Sequence, residues 1–314
     1  MSSSCDLSVI IPIVDRYYDG VAGIFREYKR GLTLTGLRFE IVYVLDGEYP
    51  EALVELRALQ QQGERLTIIQ LARRYGESTA LNVGFENSHG GLILTLPAYQ
   101  QTGVEGFAAV VEKLKNDDDV VIARRYPRSD PLLNQISSAF FNWVLRKVFS
   151  LSLHDIGCCV RAFKREVISE ISVYGDQHRF LPVLAHQRGF RVSEVNIAQA
   201  LTTHSQRAYR PGIYFQRPLE FLTVFFLARF TKRPLRFFGL IGGGVFMLGL
   251  ILTLYVIGER IFAGVALANR PVLLISSLAM ILGIQALAIG LIGEIIIFTH
   301  ARQIKEYTIA KVIN

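Results

Sequence analysis

Arginine recurs where the predicted strands of this chain run out. Arg73 and Arg74 follow LTIIQL, Arg124 and Arg125 end VVIA, Arg161 stands in CCVRAFKR, and Arg179 and Arg207 come later. A guanidinium is planar, permanently charged and able to bond in a bidentate fork, so these positions read either as phosphate contacts or as solvated surface charges. The candidate carboxylates are fewer. Asp46 ends FEIVYVL in a turn with Gly47, where it binds a ribose or base, or simply forms the turn. Asp155, in HDIGCC, either orients an acceptor group or caps a helix. His178 beside Arg179 reads either as a proton carrier or as a structural residue, and His154 and His204 lack zinc-ligand spacing. Glu77 reads as a helix-dipole partner and Cys158 as a packing residue.

These residues need a frame that brings strand ends together. Apolar runs at Leu7 to Ile13, Phe39 to Leu45, Leu66 to Leu71, Leu92 to Leu96 and Val120 to Ala123 predict strands. Between them, Val21 to Tyr28, Pro50 to Gln61, Ser78 to Glu86 (with Ser78 as N-cap) and Val104 to Leu114 predict helices. The alternation implies an α/β fold, a doubly wound and mostly parallel sheet with helices on both faces. Ligands in such folds bind at the carboxyl ends of strands, here the loops around Pro12, Asp46, Arg73 and Pro97. Further on, Asp130 to Phe149 reads as an amphipathic helix, Val160 to Ser172 as a strand or helix start, and Phe190 to Ile197 as a strand. Tyr214 to Phe230 mixes aromatic and basic residues, as a helix lying in the headgroup plane does.

The C-terminal third is of another kind. Phe237 to Ile257 holds twenty-one residues without a charge, about 30 Å of helix and the thickness of a bilayer core. A second apolar run covers Pro271 to Phe298. Basic residues flank both outer ends (Lys232, Arg233, Arg236, then His300, Arg302, Lys305), so both ends are expected on the cytoplasmic side of a transmembrane hairpin. Gly239 and Gly243, four apart, with Gly242 and Gly244 thickening that face, predict a close helix contact, within the hairpin or in a homo-oligomer. The divisions read as a cytoplasmic domain (1–213), juxtamembrane helices (214–236), two spans (237–298) and a tail (299–314). A net charge of +7 points to anionic lipid and phosphate ligands. No nucleic-acid motif accompanies it, and nucleic acid is not expected as a partner. Three cysteines without metal spacing imply a reducing compartment, and the start MSSSCDLSVIIPI lacks the basic region of a signal peptide.

Several stretches, in order along nearly the whole chain, resemble the membrane-bound family 2 glycosyltransferases that act on polyprenyl phosphate, such as dolichyl-phosphate mannose synthases. They are LSVIIPIVD, IVYVLDGE, LARRYGESTALNVGFENSHGG, VVIARRYPRSD, DIGCCVRAFKREV, QHRFLPVLAHQRGFRVSEV and RPLRFFG. The resemblance implies a nucleotide-sugar-binding domain of the glycosyltransferase A type. It implies inverting transfer of a sugar from a UDP- or GDP-linked donor to polyprenyl phosphate at the inner membrane, with Mg²⁺ or Mn²⁺ as cofactor. By the same resemblance Pro12, Asp15, Asp46, Arg73, Arg74 and Gly76 would bind the donor, and Arg124, Arg161, Arg179 and Arg207 the acceptor phosphate. Asp155 would be the catalytic carboxylate.

The sequence departs from the family where the metal binds. In place of D-x-D followed by Leu-Gln it reads Pro97, Ala98, Tyr99, Gln100, Gln101, so both metal-binding carboxylates are gone. Leu45 replaces the first aspartate of the D-D-G turn, and Gly91 the acid expected after Gly90. Two readings follow. In one, arginines such as Arg16, Arg73, Arg74, Arg124 and Arg125 neutralise the diphosphate and transfer is metal-independent. In the other, the chain is an inactive glycosyltransferase kept as a lipid- or partner-binding scaffold.

Overall fold

The computed structural model describes residues 5–14, 20–128, 138, 139, 143, 146, 151, 153–171, 177–200, 234–263 and 271–300. Asp15, Arg16 and Arg207 lie outside them, as do the predicted interfacial helix over 214–230 and most of the predicted helix over 130–149. The chain divides into two compact units, Met1–Glu220 and Phe221–Asn314.

The first unit is built on a seven-stranded mixed sheet. Its strands are β1 (Leu7–Ile13), β2 (Phe39–Leu45), β3 (Leu66–Gln70), β4 (Leu92–Thr95), β5 (Val120–Arg125), β6 (Arg161–Lys164) and β7 (Val192–Ile197), in the order β3-β2-β1-β4-β6-β5-β7. All pairings are parallel except those of β6, which runs antiparallel to both β4 and β5. Every residue of β1 is buried, as a central strand covered on both faces requires. The edge strand β3 is mostly half-exposed. Sequence periodicity cannot distinguish a short antiparallel strand inserted between two parallel ones, and Val160 to Ser172 in fact holds both β6 and a short helix, α5 (Arg165–Glu170).

The other helices of this unit are α1 (Val21–Thr33), α2 (Pro50–Gln61), α3 (Glu77–Glu86), α4 (Phe107–Asn116) and α6 (Leu181–Gln187). On α1, Val21, Ile24, Phe25, Tyr28 and Leu32 share the buried face, the spacing of an amphipathic helix. A methyl group on its Gly31 would lie 2.5 Å from the carbonyl of Val104, so only glycine permits this approach. The tight packing seats Tyr28 beneath the loop after β4, where its hydroxyl lies 2.9 Å from the carbonyls of both Pro97 and Tyr99. The predicted N-cap of α3 is corrected. The helix starts at Glu77 after Gly76, and Ser78 lies inside it with its hydroxyl turned to His178.

The second unit contains two thirty-residue helices, α7 (Pro234–Ala263) and α8 (Pro271–His300), both long and apolar enough to cross a membrane. They pack on each other through glycines. A methyl group on Gly242 would meet the Gly283 carbonyl at 2.7 Å, and one on Gly249 the Ser276 carbonyl at 2.7 Å. Of the expected glycines, Gly242 makes the close contact. Gly243 faces open space and Gly239 makes only an ordinary contact, whereas Gly242 and Gly249, seven apart, share the buried stripe with Gly283 and Gly290. Thr253 and Ser276 join their hydroxyls across the helices at 3.0 Å, and the Leu235 amide donates to Glu294 at 3.4 Å.

Candidate functional site

Parallel pairing sets the carboxyl ends of β1, β2, β3 and β4 along one edge of the sheet, and the antiparallel β6 brings its first residue, Arg161, to the same edge opposite Thr95. A cavity of about 20 Å³ opens there, lined by Pro12, Glu77, Pro97, Cys159, Arg161 and His178 among others.

At the β2 end, Asp46 is buried and accepts the backbone amides of Tyr75 (2.7 Å) and Gly76 (2.9 Å). It therefore fixes the ARRYG loop onto the β2 turn, a role between the two sequence alternatives. Gly47 at φ +108° and Gly76 at φ +99° hold conformations that favour glycine, and a methyl group on Gly47 would lie 3.1 Å from Cγ of Arg74. Arg73 and Arg74 themselves are exposed. Their guanidinium groups lie over the rings of Tyr75 (5.0 Å) and Tyr49 (5.7 Å).

The arginines of β5 and β6 are placed differently. Arg125 forms a buried bidentate pair with Asp155 (2.7 and 2.9 Å) and also donates its amide to it. Burial by itself would raise the Asp155 pKa, but hydrogen bonds and charge from Arg125 hold the carboxyl below the usual range. With both oxygens engaged and 2% exposure, Asp155 locks a loop where an acceptor-activating carboxylate was expected. Glu194 on β7 fixes that loop from the other side, accepting the amides of His154 and Asp155. Arg161 is equally committed. It donates to the carbonyls of Cys158 (2.8 Å), Ile156 (2.8 Å) and His178 (2.6 Å), so it satisfies backbone in place of a ligand phosphate. Arg124 is half-buried over Tyr126 at 5.4 Å, and Arg179 is exposed beside His178.

His178 is buried and bonded within the fold. Its ring contacts Ser78 at 3.1 Å and Glu77 at 3.0 Å. Glu77 thus has a hydrogen-bond partner as well as a helix dipole. Burial opposes its charge, yet the His178 hydrogen bond, with help from Arg179 and Arg161, holds its pKa below the usual carboxylate value. Glu77, Ser78 and Glu194 were missed as organising residues because their partners lie thirty-nine or more residues away.

The segment in the metal position does not fit a divalent cation. Pro97 and Ala98 offer no side-chain oxygen, and burial pushes the Tyr99 phenol well above its ordinary pKa, leaving it a neutral group. Gln101 accepts the Cys159 amide at 2.8 Å. Burial raises the Cys158 thiol to about 12, so it is no thiolate ligand. The three nearby carboxylates are taken up by amides, Arg125 and His178. Among the described residues no group of three or more His, Cys, Asp or Glu side chains is placed to hold a metal ion.

A sequence-family model described as glycosyl transferase family 2 matches residues 8–172. Over 304 residues the chain is 26% identical to the dodecaprenyl-phosphate galacturonate synthase of Rhizobium johnstonii, covering 95% of this chain and 90% of the relative. Over 312 residues it is 29% identical to the undecaprenyl-phosphate 4-deoxy-4-formamido-L-arabinose transferase of Pseudomonas aeruginosa, covering 98% and 90%. The crystal structure of glucosyl-3-phosphoglycerate synthase from Mycobacterium tuberculosis, in complex with Mn²⁺, uridine diphosphate and phosphoglyceric acid, superposes with a TM-score of 0.54 at 12% identity. It covers 71% of this chain and 78% of that one, a likeness of fold.

Proposed function

The chain belongs to glycosyl transferase family 2, and from that premise we propose that it transfers a sugar from a nucleotide sugar to polyprenyl phosphate at the cytoplasmic face of the inner membrane. The observation that carries this reading is the near-complete alignment with transferases named for polyprenyl-phosphate acceptors, spans included. Two helices of membrane-crossing length fit an acceptor that lives in the bilayer. The basic flanks fit an orientation with both ends cytoplasmic, and the nucleotide is read as UDP or GDP.

In the inverting reaction an oxygen of the acceptor phosphate attacks the anomeric carbon and forms the new C–O bond. The bond from that carbon to the donor diphosphate breaks, and the nucleoside diphosphate leaves with the electron pair. The acceptor is anionic at neutral pH, so positioning matters more than a strong base. Arg124 and Arg179 are the described cations proposed to meet the lipid phosphate, with Asp155 and Arg161 holding the loop between them in shape. The buried Asp46 is proposed to keep the donor loop in register.

The test is direct. Full-length protein in detergent is incubated with undecaprenyl phosphate and a panel of radiolabelled UDP- and GDP-sugars, and the organic phase is analysed for a lipid-linked sugar. Product with one donor supports the reading. No product with any donor, from protein that is folded and binds lipid, supports the scaffold alternative.

A further inference from the structure

We propose that the donor diphosphate is held by Arg73 and Arg74 in place of a divalent cation, so that donor binding is metal-independent. The inference rests on the transferase reading above and names how that site manages its charge.

Family resemblance alone left five arginines as candidates for neutralising the diphosphate. Tertiary structure separates the four described ones. Arg125 is bound by Asp155, and Arg124 lies on the far side of β6 from β1 to β3, against Tyr126. Arg73 and Arg74 remain on the donor side. Both are exposed, and among the described residues neither has a carboxylate partner within ion-pair distance. Each lies over an aromatic face, which restrains the plane of the guanidinium while leaving its N–H edge available to an anion.

The loop carrying them is built firmly. Asp46 takes the amides of Tyr75 and Gly76, so the loop is tied to the β2 turn through a buried carboxylate. Gly47 leaves the room that Arg74 fills. The loop runs straight into Glu77, which lines the strand-end cavity together with Pro97. The two charges follow the carboxyl end of β3, on the same edge of the sheet as the segment after β4 where the metal carboxylates are missing. Arg161 also lines that cavity, buried and permanently charged, so it offsets the Glu77 carboxylate there and the lining carries no net negative charge to hold a cation. Two guanidinium groups carry the same formal charge as one divalent ion and can bond phosphate oxygens in a bidentate fork.

The experiment is calorimetric titration of the full chain in detergent with UDP, UMP, GDP and GMP, in excess chelator and again in excess Mn²⁺. For the diphosphate that binds, affinities under the two conditions should agree within about twofold, and R73A/R74A should weaken it by about tenfold or more while the matching monophosphate changes little. R73K/R74K should recover part of the loss, since lysine restores charge without the fork. An unchanged melting temperature separates a lost contact from lost folding. Binding that appears only with Mn²⁺ overturns the inference, as does R73A/R74A keeping the full preference for diphosphate over monophosphate. Lipid-linked product that disappears on chelation would overturn it while leaving the transferase reading standing. Absence of binding by all four nucleotides would overturn both.

Discussion

Two regions along one edge of the sheet use the same residue type for opposite ends. On the β5 and β6 side, Arg125 and Arg161 are buried and bonded within the fold, one to a carboxylate and the other to three carbonyls. On the β3 side, Arg73 and Arg74 are exposed on aromatic faces, on a loop fixed from beneath by Asp46. A cation inside the fold must be compensated by the fold itself, whereas one held rigidly at the surface without a partner keeps its bonding capacity for a ligand. Arginine content therefore says little about anion binding until each guanidinium has been assigned its partners.

The contrast can be broken most severely at Asp155. D155A leaves Arg125 buried and uncompensated, so unfolding stability should drop by about 3–5 kcal/mol in a denaturant titration. A smaller loss would mean that water reaches the pair. Removing Arg161 as R161M strips three carbonyls of their donor, and a loss of about 1–3 kcal/mol is expected in the same titration.

Acid sharpens the comparison. The folded Asp155 and Glu77 carboxyls titrate below their unfolded values, so the unfolded chain binds more protons as pH falls. Their stabilisation is complete above the ordinary carboxylate pKa of about 4 and is lost as pH falls through the lower folded values. Melting temperature should therefore fall as the pH is lowered below about 4, and D155N should flatten that decline. An equally steep acid limb in D155N would assign it to other groups. The smallest effect belongs to the exposed pair. R73A/R74A should alter stability by no more than about 0.5 kcal/mol, even though donor affinity falls. A large loss of stability would place these arginines with the scaffold.

Much of the frame was legible in the sequence. The apolar runs marked β1 and β2 to the residue, because strands covered on both faces are predominantly apolar. The antiparallel insertion of β6 was not legible, since its four residues carry no signal of direction. The site was legible only in part. Sequence named Asp46, Asp155, Arg73, Arg74 and Arg161 and detected the missing metal carboxylates, yet it could not say which arginines were already bonded. Nor could it see that Tyr28, seventy-one residues from Tyr99, pins the altered loop.

By itself, the sequence determined what depends on neighbours along the chain. Two long, almost uncharged runs make membrane-length helices, alternating apolar segments make a wound sheet, and a missing carboxylate pair removes a donor set wherever the loop lies. Tertiary structure alone decided the allocation of partners. A hydrogen bond reaches about 3 Å, while the pairs that settle this site join Arg125 to Asp155 across thirty residues and Ser78 to His178 across one hundred. Within the second unit it also decided which glycines meet, Gly242 with Gly283 and not Gly243. Residues beside each other in sequence point to different sides of a helix, and only the packed partner reveals which side is buried.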